Sequence, residues 1–205
     1  IGSAFRIFVL YPDETINYEI PQQDIKQGGS YSENYQNGQR RSLSFTLYNN
    51  SGQYTPDINR FWAGTRLRLE LGVILQSGQI IWCQKGIYTI NKVVPNLTTS
   101  GKEVQVSASD KFGLLEDATG RIETTYEIPV GTEIENIFRD TLLTEMGNGF
   151  PIDSKPFIYN SVFKGKKTQS TISKNAGETL GSVLLELAEQ LSAEIFYNAN
   201  GNLVI

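Results

Sequence analysis

Two alternations in the first half of the chain fix its architecture. Ser42 to Tyr48 places Leu43, Phe45 and Leu47 at every second position, and Thr65 to Leu71 sets Arg66, Arg68 and Glu70 between three leucines. A period of two sends successive side chains to opposite faces, so each stretch predicts a strand with one face against a core. The charges of the second stretch give it a wet side, as an antiparallel sheet permits. Between the strands, Asn49-Asn50-Ser51-Gly52 is a cluster of turn formers, followed by the irregular connection Gln53 to Ala63. Gln76-Ser77-Gly78-Gln79 then closes a hairpin into Ile80-Ile81-Trp82, and Gly86 to Ile90 adds a further short strand.

Composition narrows the chemistry. With 205 residues the chain is long enough for two small domains, each with a core. A net charge of -4 removes the basic surface on which nucleic-acid affinity depends, so nucleic-acid recognition is not expected. There is no histidine, which excludes Ser-His-Asp and Cys-His nucleophile systems and the common catalytic zinc sites within this segment. Paired-carboxylate hydrolysis survives that test, yet Glu70, Glu103, Asp110, Glu116 and Asp117 fall where strands meet solvent or loops begin and read as solvated charges. The single cysteine, Cys83, beside Trp82 in a strand pattern, reads as a small buried apolar group. No apolar run approaches the length of a transmembrane helix, no membrane insertion is expected, and no signal peptide is visible. Beginning at Ile1 and closing inside a strand pattern, the sequence reads as a fragment of a longer protein.

Along the chain, Phe5 to Tyr11 and Ile16 to Ile20 predict a hairpin turning at Pro12-Asp13, and Ser30 to Tyr35 a strand with tyrosines on one face. Gly28-Gly29 is a bend and Asn37-Gly38 a short turn; neither glycine pattern has the spacing of a phosphate cradle. Asn91 to Lys102 reads as a polar loop, Glu103 to Ser109 as a strand, and Asp110 to Leu115 as a tight helical turn leaving the sheet. Many short strands without a long helix favour an antiparallel β-barrel or a small sandwich, patterns that share the same alternation. After Ala118 the pattern changes. Thr132, with Glu135 three residues on, predicts a capped helix burying Ile134, Ile137, Phe138, Thr141 and Leu142 and ending near Met146-Gly147. Thr179 caps a second helix with Leu180, Val183, Leu184, Leu187, Ala188 and Leu191 on one side, and Asn198 to Gly201 closes a final hairpin. Lys164, Lys166 and Lys167 read as a solvated loop. The expectation is a mainly β chain with an α+β part: a barrel-like domain over 1–118 and an α+β domain with two helices over 119–205.

The run SLSFTLYNNSGQYTPDINRFWAGTRLRLELG, followed by a Trp, a Gly-Ile-Tyr strand and SASDKFGLLED, resembles the first barrel domain of tail-hub or baseplate-hub proteins of long-tailed bacteriophages and prophages. YEIPVGTEIENIFRDTLLTEMG and ETLGSVLLELAEQLSAEIFYNANGNLVI are similar to the helix and the helix-plus-hairpin of the same proteins. The resemblance implies a non-enzymatic structural component of a virion tail tip, without cofactor or metal. It further implies a homo-oligomeric ring, a trimer in the assembled tail, that joins the tail tube to distal tail, fibre or tape-measure proteins. Tyr54, Phe61 and Trp62, in the Gln53 to Ala63 connection, are then candidate contacts between subunits, or a plug over the barrel end. The alternative is a carbohydrate- or cell-surface-binding β-module using Tyr31, Tyr35, Tyr48, Tyr54, Trp62 and Trp82 as stacking faces; it requires several of these rings in one open groove.

Overall fold

The computed structural model describes residues 2–35, 38–55, 61–98, 101–144 and 151–205. The chain forms two compact units: Ile1–Tyr35 with Arg40–Lys111, and Gln36–Gln39 with Phe112–Ile205. Asn37 of the expected Asn37-Gly38 turn lies outside the described residues, as do Met146 and Gly147, the expected end of the first long helix; that helix ends at Leu143.

Unit 1 is a seven-stranded antiparallel sheet. In chain order its strands are β1 (Gly2–Leu10), β2 (Ile16–Glu19), β3 (Ile25–Glu33), β4 (Arg41–Tyr48), β5 (Arg66–Ile74), β6 (Ile80–Thr98) and β7 (Gly101–Asp110). Their spatial order is β2-β1-β5-β6-β7-β4-β3. The outermost strands are therefore consecutive in the chain, joined by the short connection from Glu19 to Ile25. Laid flat, six interstrand steps of about 4.8 Å would separate them by about 29 Å. Six residues reach at most about 21 Å. The sheet has to curl, and one core cluster shows that it does: Ile7 and Val9 of β1, Leu67 of β5, Tyr88 of β6 and Val106 of β7 all face it. Among the described residues β2 pairs only with β1 and β3 only with β4, so the curl stops short of a closed barrel. The nineteen-residue β6 carries both halves, pairing with β5 along Ile80–Thr89 and with β7 along Tyr88–Thr98. Register shifts opposite Leu69/Glu70 and at Ile90/Lys92 bend it between the two, giving a sandwich-like wrap around the core.

The expected polar loop at Asn91 to Lys102 is therefore a strand as far as Thr98. Pro95 had argued against it, because proline donates no ladder hydrogen bond; here it simply lies opposite Val104 in the β6–β7 ladder.

Unit 2 contains a helical turn α1 (Gly113–Glu116), helices α2 (Ile134–Leu143) and α3 (Leu180–Leu191), and two two-stranded antiparallel sheets: β8 (Tyr126–Ile128) with β9 (Ile172–Lys174), and β10 (Phe196–Tyr197) with β11 (Leu203–Val204). The expected apolar faces are the buried ones: Ile137 and Phe138 of α2 and Val183, Leu184 and Leu187 of α3 join one cluster. The Thr179 hydroxyl accepts from the Ser182 amide at 3.2 Å and caps α3 as expected. Ser192, in the left-handed region at φ 51°, ends it. The expected cap of α2 is different. Thr132 Oγ1 donates to the Pro129 carbonyl at 2.8 Å, and the helix starts two residues later with Glu133 at its boundary and no side-chain cap. Glu133 occupies the N-cap position, so Thr132 lies one residue too early to cap, and the Gly131 turn brings its hydroxyl back to the Pro129 carbonyl.

Candidate interaction surfaces

The Gln53 to Ala63 connection plugs the unit 1 core with two of its three aromatics. Tyr54 and Phe61 are buried and meet edge to face, with ring centroids 5.4 Å apart. Asn49 draws the connection inward: its Oδ1 accepts from the Tyr54 amide at 2.8 Å and its Nδ2 donates to Thr55 Oγ1 at 3.0 Å. The Tyr54 hydroxyl donates to Asp24 at 2.7 Å, and burial, reinforced by that carboxylate, pushes the phenol well above its usual value. Of the three candidates, Trp62 alone is exposed, at 53%.

The acids read as solvated are partly otherwise. Glu116 and Asp117 are exposed, but Glu70, Glu103 and Asp110 are buried. Burial demands a partner for a charge, and each has one. Glu70 lies 2.6 Å from Arg6 and 3.0 Å from Arg68; Glu103 is 2.9 Å from Lys26; Asp110 accepts from the amides of Arg40 and Arg41 at 2.8 and 3.0 Å. Apart from Arg68, two residues before Glu70 on the same strand, the sequence pattern gave no sign of these partners, because the order of strands in the sheet rather than spacing along the chain brings them close. A further acid, Glu14, whose side chain is only 7% exposed, has no periodic signature. It sits in the β1–β2 turn at φ 66° and its Oε1 is shared by Lys111 Nζ at 2.5 Å and Arg66 Nη1 at 3.2 Å. These carboxylates hold the fold, and among the described residues no three Cys, Asp or Glu side chains gather as a metal site.

On the outer face of β1, β5 and β6, Glu70 supports a ladder of cations and rings. The Arg6 guanidinium lies 4.2 Å from the Trp82 ring and 5.0 Å from that of Phe8, and Arg68 lies 4.6 Å from Phe8 on the other side. Trp82 is thereby half covered. Its six-membered ring also presses on Gly72, where a Cβ would come within 2.9 Å of it.

The rings proposed as stacking faces do not share a groove. Tyr54 is inside, Tyr31 is half-buried and donates to Glu33 at 2.7 Å, and Trp82 lies under Arg6. Tyr35 lies beyond the Glu33–Arg41 end of the β3–β4 pair and Tyr48 at the other end of β4. Seven residues at about 3.4 Å put the two ends about 24 Å apart.

Cys83 is exposed, contrary to its reading as a buried group. It lies opposite Leu71, one row past the Leu69–Gly86 pair, and β7 has already left β6 at Tyr88–Asp110. No strand remains to cover it from that side among the described residues.

Unit 2 has a cavity of about 500 Å³ between α2 and the segment 151–159, lined by Arg139, Leu142, Asp153, Lys155, Phe157 and Tyr159. Its cations are already engaged: Arg139 with Asn136 Oδ1 at 2.9 Å, Lys155 with the Asn200 carbonyl at 2.5 Å. Lys164, Lys166 and Lys167 lie in an exposed loop, as read.

No family model and no curated protein matches the chain. Solved structures do match it. A tail protein from Neisseria meningitidis MC58 aligns over 100% of this chain and 50% of its own, with a TM-score of 0.60 and 13% identity. The 43 kDa tail protein of prophage MuSo2 from Shewanella oneidensis aligns over 99% and 53%, with a TM-score of 0.56 and 17% identity. This chain has the fold of phage and prophage tail proteins. A half-lidded PdpA–VgrG complex from Francisella contains the same fold, at a TM-score of 0.57 and 10% identity over 98% of this chain and 30% of that one. The chain spans about half the length of the two tail proteins.

Proposed function

We propose that the chain is a structural component of a phage or prophage tail tip, a baseplate hub that forms a ring with copies of itself and joins the tail tube to distal tail parts. The observation that carries this reading is the extent of the likeness: tail proteins match along both units, over 99–100% of the chain. A shared fold is compatible with many functions, so the argument also leans on how the chain spends its charged groups. Its buried acids are committed to cations and amides that tie strands together, an arrangement suited to holding shape. In this role the protein works by complementarity between subunits, and other tail proteins are its partners. Trimeric assembly in the virion tail belongs to the same proposal. Light scattering and negative-stain microscopy of the full-length protein, alone and with its tail neighbours, test it: rings or closed oligomers are the expected result. A strictly monomeric full-length protein under all these conditions overturns the reading.

A further inference from the structure

A ring requires a place where one copy meets the next, and one strip of unit 1 has the character of such a contact. Past the Leu69–Gly86 pair, β1, β5 and β6 run on for two more rows on the side that faces the core: Phe5, Leu71 and Cys83, then Ser3, Val73 and Ile81. Residues directly opposite in a ladder share a face, so these two rows form one continuous strip. Phe5 is 39% exposed, Val73 50% and Ile81 54%. The reverse face of the same strands is closed by Trp82 over Gly72 and Arg6 over Trp82. The sheet is thus finished on one side and bare and apolar on the other.

The size of the strip says what kind of contact it makes. With side chains of roughly 150–200 Å² each, it exposes on the order of 300 Å² of apolar surface. A stable two-body complex buries about 800 Å² per partner. A contact this small holds only when several are made together, which is the situation of a subunit flanked by copies in a closed ring.

The backbone adds that a copy of this chain carries what is needed to extend the sheet. The Ile20 amide reaches the Ile7 carbonyl from the side of β2, so the odd-numbered residues of β1 turn their peptide groups that way. β2 pairs with Phe8–Leu10 and the Gln22 side-chain amide donates to the Phe5 carbonyl, which leaves the peptide groups of Ser3 and the Phe5 amide along the rest of that edge among the described residues. At the far edge, the Asn34 amide bonds the Arg40 carbonyl, so Tyr31 and Glu33 of β3 turn their peptide groups away from β4. Among the described residues one chain therefore offers outward peptide groups at two edges, Ser3 and the Phe5 amide on β1 and Tyr31 and Glu33 on β3, and head-to-tail copies bring the two together.

We propose that the strip of Phe5, Leu71, Val73, Ile81 and Cys83 is the seat of a neighbouring copy of this chain; the inference rests on the ring reading above. Cys83, the sole cysteine, is a built-in reporter. In the assembled full-length protein, maleimide labelling of Cys83 is expected to slow at least about tenfold relative to the same full-length protein diluted to monomer, because an interface core excludes water. Ile81→Arg and Val73→Arg, at exposed positions, are expected to leave circular dichroism and the melting temperature unchanged while shifting the full-length protein to monomer. An oligomer that survives Ile81→Arg with Cys83 as reactive as in the monomer overturns this inference and leaves the ring reading standing. Cys83 protection that arises only on adding a different tail protein assigns the strip to that partner and likewise overturns it. Failure of the wild-type protein to oligomerise under any condition removes the ring reading and this inference with it.

Discussion

Replacing Glu14 by glutamine should cost more than any other single exposed-turn substitution in the chain. Its carboxylate is shared by Lys111, which is 0% exposed, and by Arg66, whose guanidinium also donates to the Pro12 carbonyl at 2.6 Å. Glutamine keeps the length and the backbone but removes the negative charge beside a buried ammonium. Breaking a buried ion pair from one side costs about 3–5 kcal/mol. Set against a total stability of roughly 5–15 kcal/mol, that is a large fraction. Lys111→Met in the Glu14→Gln background removes that ammonium and should recover at least about 1 kcal/mol, since a buried pair is often replaceable by apolar groups. Glu14→Gly also loses the carboxylate but relieves the left-handed strain, worth about 1–2 kcal/mol, so it should be milder than Glu14→Gln. Both tryptophans, Trp62 and Trp82, belong to unit 1, so urea unfolding followed by tryptophan fluorescence reads this unit selectively. A Glu14→Gln variant within about 1 kcal/mol of the parent, at unchanged slope, would show that the clamp is solvated and the reasoning wrong.

Gly72→Ala places a Cβ 2.6 Å from Ile80 Cγ2 and 2.9 Å from the Trp82 ring, and should destabilise unit 1 by about 1–3 kcal/mol with altered Trp82 emission. An unchanged spectrum and midpoint would contradict the packing described. Thr179→Ala removes the α3 cap and should cost about 1 kcal/mol, while Thr132→Ala, whose hydroxyl does not cap α2, should leave helix content unchanged by circular dichroism. The Tyr31 phenol is pushed up to about 12 by burial and by its bond to Glu33. Its folded value lies above its unfolded value of 10.0, so the protein loses stability as pH rises between the two, and ultraviolet titration should show Tyr31→Phe removing a late-ionising phenol. Glu33 runs the other way: hydrogen bonds from Tyr31 and Arg41 outweigh burial and hold it below its ordinary value. Its contribution is present above the unfolded value and lost as pH falls through the folded one; an acid-unfolding midpoint unmoved by Glu33→Gln would refute this.

The strands and helices with strong local periodicity were legible because their signal is local. Leu67-Leu69 and the Leu180 to Leu191 stripe each declare their buried face, and Thr179 sits where a cap belongs. What sequence could not carry was set across the sheet. Whether Cys83 is covered depends on where β7 departs, and the fate of Glu70 on which residues of β1 and β5 stand beside it. Pro95 concealed the last third of β6, because a missing donor matters only if a neighbour needs it there. The burial of Tyr54 goes with its bonds to Asn49 and Asp24, polar residues with no periodic meaning of their own. Glu14 was invisible for the same reason: a left-handed glutamate reads as an ordinary turn acid until Lys111 is found beneath it.

The nineteen residues of β6 run for roughly 60 Å. Since that single strand is the backbone of both halves of unit 1, displacing either end drags on the other through an unbroken covalent chain, with no linker to absorb slack. An object made this way behaves as a stiff strut, and insertion of one residue near its middle would throw half of its side chains onto the wrong face, so length tolerance should be confined to its tips.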